Sequence, residues 1–124
     1  MKPRLPLTLA ALSGFVAVAA GAFGAHGAPT PQAKALLETG GHYQLMHALA
    51  VFACFAIGRG TRSAAVAAWL FLTGSVIFSC SLYVLALGAP RIMGAITPIG
   101  GLLLLAGWLT LAWTAYVGTR SDAV

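Results

Sequence analysis

Four long apolar stretches dominate the chain, and short segments rich in charge, proline or glycine separate them. Each stretch is nearly free of charged side chains, and an α-helix that crosses a bilayer needs about 20 apolar residues. The pattern therefore predicts four membrane-spanning helices in a single domain, an all-α integral membrane four-helix bundle over residues 1–124. The predicted spans cover approximately residues 5–24, 42–58, 63–87 and 97–117.

The first connection carries the clearest local signals. Thr30 stands before a proline, which predicts a helix start with the threonine as its cap. A short amphipathic segment then leads to Gly40 and Gly41, and we expect these glycines to bend or break the chain before the second span. If the helix instead continues through them, Glu38 and His42 share one helix face because they are four residues apart.

Composition supports a membrane environment. Hydrophobic residues make up 60% of the chain and charged residues 7%, against about 25% charged in an ordinary soluble domain. The formal net charge of +5 would suggest nucleic acid as the partner of a soluble protein. Here the basic residues lie at the ends of apolar blocks, so we expect the lipid bilayer as the partner and no nucleic acid.

The distribution of basic residues predicts an orientation. Because cytoplasmic loops collect lysine and arginine, both termini are expected in the cytoplasm. A secretory signal is the alternative interpretation of the N-terminal segment, although its apolar stretch is longer than a typical signal has. The residues on the predicted cytoplasmic side are Lys2, Arg4, Arg59, Arg62 and Arg120, and those on the outer side are Lys34 and Arg91.

This topology brings the strongly polar residues together near the outer ends of the spans. His47 lies about 7 Å deeper than His42 at 1.5 Å of rise per residue, and an ionisable ring inside a membrane is a functional candidate. The alternative is a neutral His47 that joins helices by a hydrogen bond to Tyr83 or to a serine of the third span. The outer polar cluster, either a ligand-binding site or helix packing, consists of His26, Glu38, His42, His47, Ser79, Tyr83 and Thr97.

Small residues predict where helices approach one another closely. Ser13, Ala17 and Gly21 recur every fourth residue in the first span, and Gly100 and Gly101 lie near the start of the fourth. Small side chains let helix backbones come together in lipid, so both sets are predicted packing surfaces against another span or another copy of the chain.

The sequence contains no readable catalytic arrangement, and we expect no enzyme activity. No serine has a base at a recognisable spacing, and the glycine motifs that bind phosphates are absent. Three histidines and a glutamate match no metal-ligand spacing. The sequence therefore predicts no cofactor and leaves open whether a metal binds. Cys54 and Cys80 are predicted at different depths, so no disulfide is expected between them.

Four blocks of sequence resemble one known family. GAFGAHG at 21–27, HYQLMHALA at 42–50, FSCSLY at 78–83 and GAITPIGG at 94–101 are similar to the YgdD-type family of small four-span inner-membrane proteins. That family is a domain-of-unknown-function family. The resemblance implies a four-helix fold in the bacterial cytoplasmic membrane and brings no established activity. Cys80 stands where the family pattern usually has glycine, which suggests looser packing there.

Three functions stay open from the sequence. The concentration of polar residues at one end favours a non-enzymatic membrane protein with a binding or accessory role, whose polar cluster takes a small ligand, a lipid headgroup or a membrane-protein partner. The first alternative is a small homo-oligomeric transporter or proton-linked carrier, for which ionisable residues are expected along the pathway. The second is a membrane redox accessory that uses its histidines with a metal or a quinone.

Overall fold

The computed structural model describes residues 2–122, and over these residues the chain is all-helical. The predicted all-α four-helix bundle is confirmed. The side chains of residues 119–122 are outside the description, so the expected position of the Arg120 side chain at the cytoplasmic end lies outside the described residues. The helices are α1 Arg4–His26, α2 Pro31–Gly58, α3 Arg62–Ala86 and α4 Thr97–Asp122, with a 3-10 helix Arg91–Ala95 before α4.

Three segments are long and apolar enough to cross a membrane: Arg4–His26, Arg62–Ala86 and Arg91–Gly118. They correspond to α1, α3 and most of α4. The remaining helix, α2, is the longest at 28 residues. Polar residues such as Gln44 and His47 interrupt its apolar half, which lowers its hydropathy below that of the other three.

The α2 helix begins as predicted. The Thr30 hydroxyl accepts a hydrogen bond from the Ala33 backbone N–H at 3.0 Å, and a proline occupies the first helical position. The prediction that Gly40 and Gly41 bend or break the chain is wrong, since one continuous helix runs from Pro31 to Gly58. Glu38 and His42 therefore lie on the same helix face.

The two central glycines of α2 serve helix packing. A Cβ atom on Gly40 would lie 2.6 Å from the Tyr83 ring of α3. A Cβ atom on Gly41 would lie 3.0 Å from the Ala17 carbonyl oxygen of α1. Adjacent glycines thus let two different helices approach the α2 backbone, which explains why a helix retains them despite their low helix propensity.

The order of packing leaves the bundle open on two sides. Helices α2 and α3 form the centre, with α1 packed mainly on α2 and α4 mainly on α3. Among the described residues, α1 and α4 do not contact one another. The core contains Val51, Cys54 and Phe71, all fully buried, while the outer faces of α1 and α4 carry exposed large hydrophobic side chains, as expected of surfaces in lipid.

Helices α3 and α4 cross where Gly100 of α4 lies against Gly74 of α3. A Cβ atom on Gly100 would lie 2.5 Å from the Phe78 backbone nitrogen and 2.8 Å from the Gly74 carbonyl oxygen. Gly101 differs, because a Cβ atom there would meet nothing within 4 Å. Only the first of these two adjacent glycines lies at the helix contact.

Candidate functional site

A chain of hydrogen bonds through Gln44 joins three helices. The Gln44 side chain is 3% exposed, and its Nε2 donates to the Ser13 hydroxyl of α1 at 3.0 Å. The Tyr83 hydroxyl of α3 donates to the Gln44 Oε1 atom at 2.6 Å. Both polar atoms of the amide are therefore paired, and the amide ties α1 to α2 and α2 to α3.

A second bond strengthens the contact between α2 and α3. The Ser79 hydroxyl, fully buried, donates to the Gly40 carbonyl oxygen at 2.7 Å. The Tyr83 ring lies one turn further along α3 and covers Gly40. Ser79 and Tyr83 thus both contact the α2 backbone at Gly40, and the missing glycine side chain makes this contact possible.

His47 is hydrogen-bonded at both ring nitrogens. The Trp108 indole N–H of α4 donates to His47 Nε2 at 3.1 Å, so Nε2 must be unprotonated. The Nδ1 atom lies 2.6 Å from the Tyr43 carbonyl oxygen, which can only accept. These partners assign a neutral ring with its proton on Nδ1. The prediction that His47 bonds Tyr83 or a serine of the third span is wrong, because the imidazole faces α4.

The other members of the predicted outer polar cluster lie apart from this network. The Thr97 hydroxyl lies 2.7 Å from the Ser81 hydroxyl, and His26 and His42 are exposed. Glu38 is half-buried, with its Cγ 3.6 Å from the position of a Cβ on Gly24. Over residues 2–122, no group of three or more histidine, cysteine or acidic side chains is placed to hold a metal ion.

The predicted packing residues also take different positions. Ser13 and Ala17 are buried on the side of α1 that faces α2. The Gly21 backbone lies 3.5 Å from the position of a Cβ on Gly41, although a Cβ on Gly21 itself would meet nothing within 4 Å. Of the glycine pair in α4, Gly100 is at the crossing with α3 and Gly101 lines a groove.

That groove, which we call the α2/α4 groove, is the largest apolar cavity beside the polar network. Its volume is about 650 Å³. His47 and Trp108 contribute to its walls, yet their facing nitrogen atoms already bond one another. The α2/α4 groove is lined by Tyr43, Met46, His47, Phe78, Pro98, Gly101, Leu102, Leu104, Leu105 and Trp108.

A second groove lies on the opposite side, between α1 and α3. It has a volume of about 520 Å³ and includes Gln44 and Cys80 in its lining. Cys80 is exposed there, Cys54 is buried in the core, and both thiols are free. The α2/α4 groove and this second groove are the two open sides of the bundle. Both exist because α1 and α4 do not pack against one another.

Two residues of the network are missing from the cluster predicted from the sequence. Gln44 is a lone uncharged polar residue inside an apolar segment, and its partners lie 31 and 39 residues away along the chain. Trp108 appears as one more apolar residue of the last span. A signal for Gln44 was available: an amide buried in lipid needs a hydrogen-bonding partner, which marks it as part of a contact between helices.

The network leaves little polar capacity for chemistry. Among the described residues, no buried side-chain nitrogen or oxygen lacks a hydrogen-bond partner. The buried side chains of Gln44, His47 and Ser79 are already used to join helices. The arrangement holds α1, α2, α3 and α4 together and presents apolar walls to the grooves.

Comparisons with known proteins point to one family. The profile of the family described as "Protein of unknown function (DUF423)" matches residues 20–101. A UPF0382 membrane protein of Haemophilus influenzae is 46% identical over 114 residues, which cover 89% of this chain and 92% of that protein. No solved structure matches.

Two further relatives carry the same family name. The UPF0382 inner membrane protein YgdD of Escherichia coli is 43% identical over 114 residues, covering 87% of this chain and 86% of that protein. The UPF0382 membrane protein YwdK of Bacillus subtilis is 36% identical over 115 residues, which cover 88% of this chain and 94% of that protein. The family resemblance and the bacterial cytoplasmic (inner) membrane as the location are thereby confirmed.

Proposed function

The chain belongs to the DUF423 family of membrane proteins, and we propose that it is a non-enzymatic binding protein that holds a lipid hydrocarbon chain in the α2/α4 groove. One observation carries this proposal: a mostly apolar cavity of about 650 Å³ opens sideways from the bundle, and the facing ring nitrogens of His47 and Trp108 in its walls already bond one another. Small-molecule sites typically have volumes of about 300 to 1,000 Å³ and mostly apolar linings.

The hydrogen-bond network argues against a chemical role for the outer polar cluster. Gln44, Tyr83 and Ser79 join helices inside the chain. His47 could act as a base or a metal ligand only after losing its bond to Trp108. The binding function therefore belongs to the groove beside the network, and no cofactor is needed for it.

The lining favours a flexible hydrocarbon chain over a partner helix. Helices associate in lipid through small residues that let backbones approach, and this chain uses Gly40, Gly41 and Gly100 for its own contacts. The groove instead presents large side chains, among them Met46 and Trp108. Methionine adapts its shape to an irregular apolar partner, so this surface fits a bending acyl chain better than a rigid helix.

We propose the orientation expected from the charges, with both termini in the cytoplasm. The topology places the start of α1, the turn between α2 and α3 and the end of α4 at one end of the bundle. Lys2, Arg4, Arg59 and Arg62 lie at this end, while Lys34 and Arg91 lie at the other. The excess of basic residues supports a cytoplasmic position for the first end.

Photolabelling tests the proposal. The full chain is reconstituted in nanodiscs with a trace of phospholipid that carries a diazirine in its acyl chain, irradiated, and mapped by peptide mass spectrometry. We expect label on Met46 and Leu105, which line the groove, in excess of label on Phe15, which is 74% exposed on the outer face of α1. Label on Phe15 measures ordinary contact between lipid and protein, and the label in the groove is compared with it.

Two glycine variants provide the specific test and its control. Gly101→Leu should extend a side chain into the groove and reduce label at Met46 to the level at Phe15, and its Cβ atom has room because a Cβ at position 101 meets nothing within 4 Å. Gly21→Leu has the same open surroundings and lies outside the groove, so it should label as the wild type does. Label on Met46 and Leu105 no higher than on Phe15 in the wild type would contradict a hydrocarbon chain as the occupant.

A further inference from the structure

A third cavity lies at the end of the bundle that holds the turn between α2 and α3. It has a volume of about 520 Å³ and lies between this turn and the C-terminal half of α4. Its lining residues include Arg59, Thr61, Ser63, Trp113 and Thr114. One arginine, three hydroxyl-bearing residues and one tryptophan therefore lie around a space that is separate from the α2/α4 groove.

The backbone fixes Arg59 at this cavity. Arg59 follows the last residue of α2 and has a left-handed conformation, with φ 44° and ψ 47°. Such a conformation favours glycine or asparagine over arginine, so its presence at an arginine marks a position worth a functional hypothesis. The turn closes with a hydrogen bond from the Thr61 backbone N–H to the Gly58 carbonyl oxygen at 2.9 Å.

The charged group of Arg59 is open to a ligand. Arg59 is an exposed residue at the end of α2. The sequence places five basic residues at this end of the bundle against one acidic residue, Asp122, whose side chain lies outside the described residues. The excess of positive charge attracts anions to this end.

The hydroxyls supply further donor capacity. The Thr61 hydroxyl accepts a hydrogen bond from the Ala64 backbone N–H at 3.4 Å and lies 3.5 Å from the Ser63 hydroxyl, so its proton can donate to Ser63 or to a ligand. The hydroxyls of Ser63 and Thr114 lie 2.8 Å apart and join α3 to α4 behind it. A guanidinium with an adjacent hydroxyl donor is a suitable set for phosphate oxygens, since arginine binds them through two parallel hydrogen bonds.

We infer that this cavity binds the phosphodiester headgroup of an anionic phospholipid. Basic pockets between membrane helices are known to take such headgroups. Trp113 is 61% exposed beside the cavity, and an indole at this level suits the boundary between headgroups and acyl chains. The headgroup site and the hydrocarbon groove are independent, since they share no lining residue.

The test compares lipids that differ only in the headgroup. The full chain, delipidated in a neutral detergent, is titrated with phosphatidylglycerol, with phosphatidylcholine of the same acyl chains, and with inorganic phosphate, and binding is followed by native mass spectrometry and by the Tm. We expect phosphatidylglycerol to bind at least about tenfold more tightly than phosphatidylcholine, because both lipids carry the phosphodiester but the choline cation of phosphatidylcholine is repelled by the basic residues at this end. Equal acyl chains remove any contribution of the α2/α4 groove, so the two proposals can fail separately.

Three variants locate the site. Arg59→Asn removes the charge and keeps a residue that tolerates the left-handed conformation, and it should abolish the preference for phosphatidylglycerol. Gly118→Leu should do the same by filling the cavity, since a Cβ there meets nothing within 4 Å. Arg91→Gln removes one charge at the opposite end and should leave the preference unchanged.

Several results would overturn the inference. Equal binding of the two phospholipids would show that the cavity does not select an anionic headgroup. An equal loss in Arg59→Asn and Arg91→Gln would show attraction by net charge alone, and a preference retained in Gly118→Leu would place the headgroup outside the cavity. Inorganic phosphate that competes as well as phosphatidylglycerol would make this a site for free anions.

Discussion

Trp108 donates its indole N–H to the Nε2 atom of His47 across 3.1 Å, and this bond joins two helices, α4 and α2, that share few other contacts. The second ring nitrogen of His47 is occupied by the Tyr43 carbonyl oxygen. The histidine in the apolar half of α2 is therefore a neutral structural link. Its position beside the α2/α4 groove also gives this groove a wall of defined shape.

Replacing Trp108, the donor of this hydrogen bond, should lower the stability of the folded protein. Trp108→Phe keeps an aromatic ring but leaves His47 Nε2 without its partner. We expect the free energy of unfolding to fall by about 0.6 kcal/mol and by no more than about 1.7 kcal/mol, the average and the maximum for hydrogen bonds between membrane helices. A double-mutant cycle with His47→Ala, measured by unfolding in mixed micelles, should give a coupling energy in the same range. Trp113→Phe is the matched control, because Trp113 is 61% exposed on the same helix. A coupling energy of zero would contradict the role assigned to the bond.

The adjacent glycines of α4 should respond in opposite ways to alanine. Gly100→Ala places a Cβ 2.5 Å from the Phe78 backbone nitrogen, so α3 and α4 must separate, and overpacking of this kind costs about 1 to 3 kcal/mol. Gly101→Ala meets nothing within 4 Å and gains helix propensity, so its stability should be unchanged or higher by up to about 1 kcal/mol. The measurement is the Tm of both variants in one detergent. Equal losses would mean that the α3 and α4 contact is placed wrongly.

The proposed orientation can be checked by accessibility. Single cysteines are introduced at two exposed positions of a chain with Cys54→Ala and Cys80→Ala, namely Pro3 before α1 and Gln32 at the start of α2. A membrane-impermeant maleimide added to intact spheroplasts should label Gln32→Cys and leave Pro3→Cys unlabelled, and permeabilisation should expose both. The reverse pattern would place the termini outside the cytoplasm. Both substitutions leave the charge distribution unchanged, so the topology signal itself is preserved.

The sequence predicted the helices well where the signals are local. The cap at Thr30 and the ends of the apolar stretches depend on neighbouring residues, and the helix starts follow them closely. The break at Gly40 and Gly41 was wrong because glycine has a second use in lipid, where it lets another backbone approach. Its low helix propensity is outweighed by contacts with Tyr83 and Ala17 that the local sequence cannot reveal.

The candidate site was less predictable because its bonds connect distant parts of the chain. The predicted topology groups Ser79 and Tyr83 with residues of the first half of α2, yet their partners Gly40 and Gln44 follow from the rotation of each helix about its axis. That rotation is set by packing of side chains across the interface. The same rotation turns His47 toward Trp108 and away from Tyr83.

Two variants separate the proposed roles of the polar network, which holds the fold, and of the α2/α4 groove, which holds the ligand. The Tm and the dissociation constant for a fluorescent acyl-chain probe are measured for the wild type, Tyr83→Phe and Gly101→Leu. We predict that Tyr83→Phe lowers the Tm and keeps the probe affinity, because it removes only the bond to Gln44. We predict that Gly101→Leu keeps the Tm and loses the probe. Lost affinity in Tyr83→Phe at an unchanged Tm, with full affinity in Gly101→Leu, would place the ligand in the polar network and contradict the account.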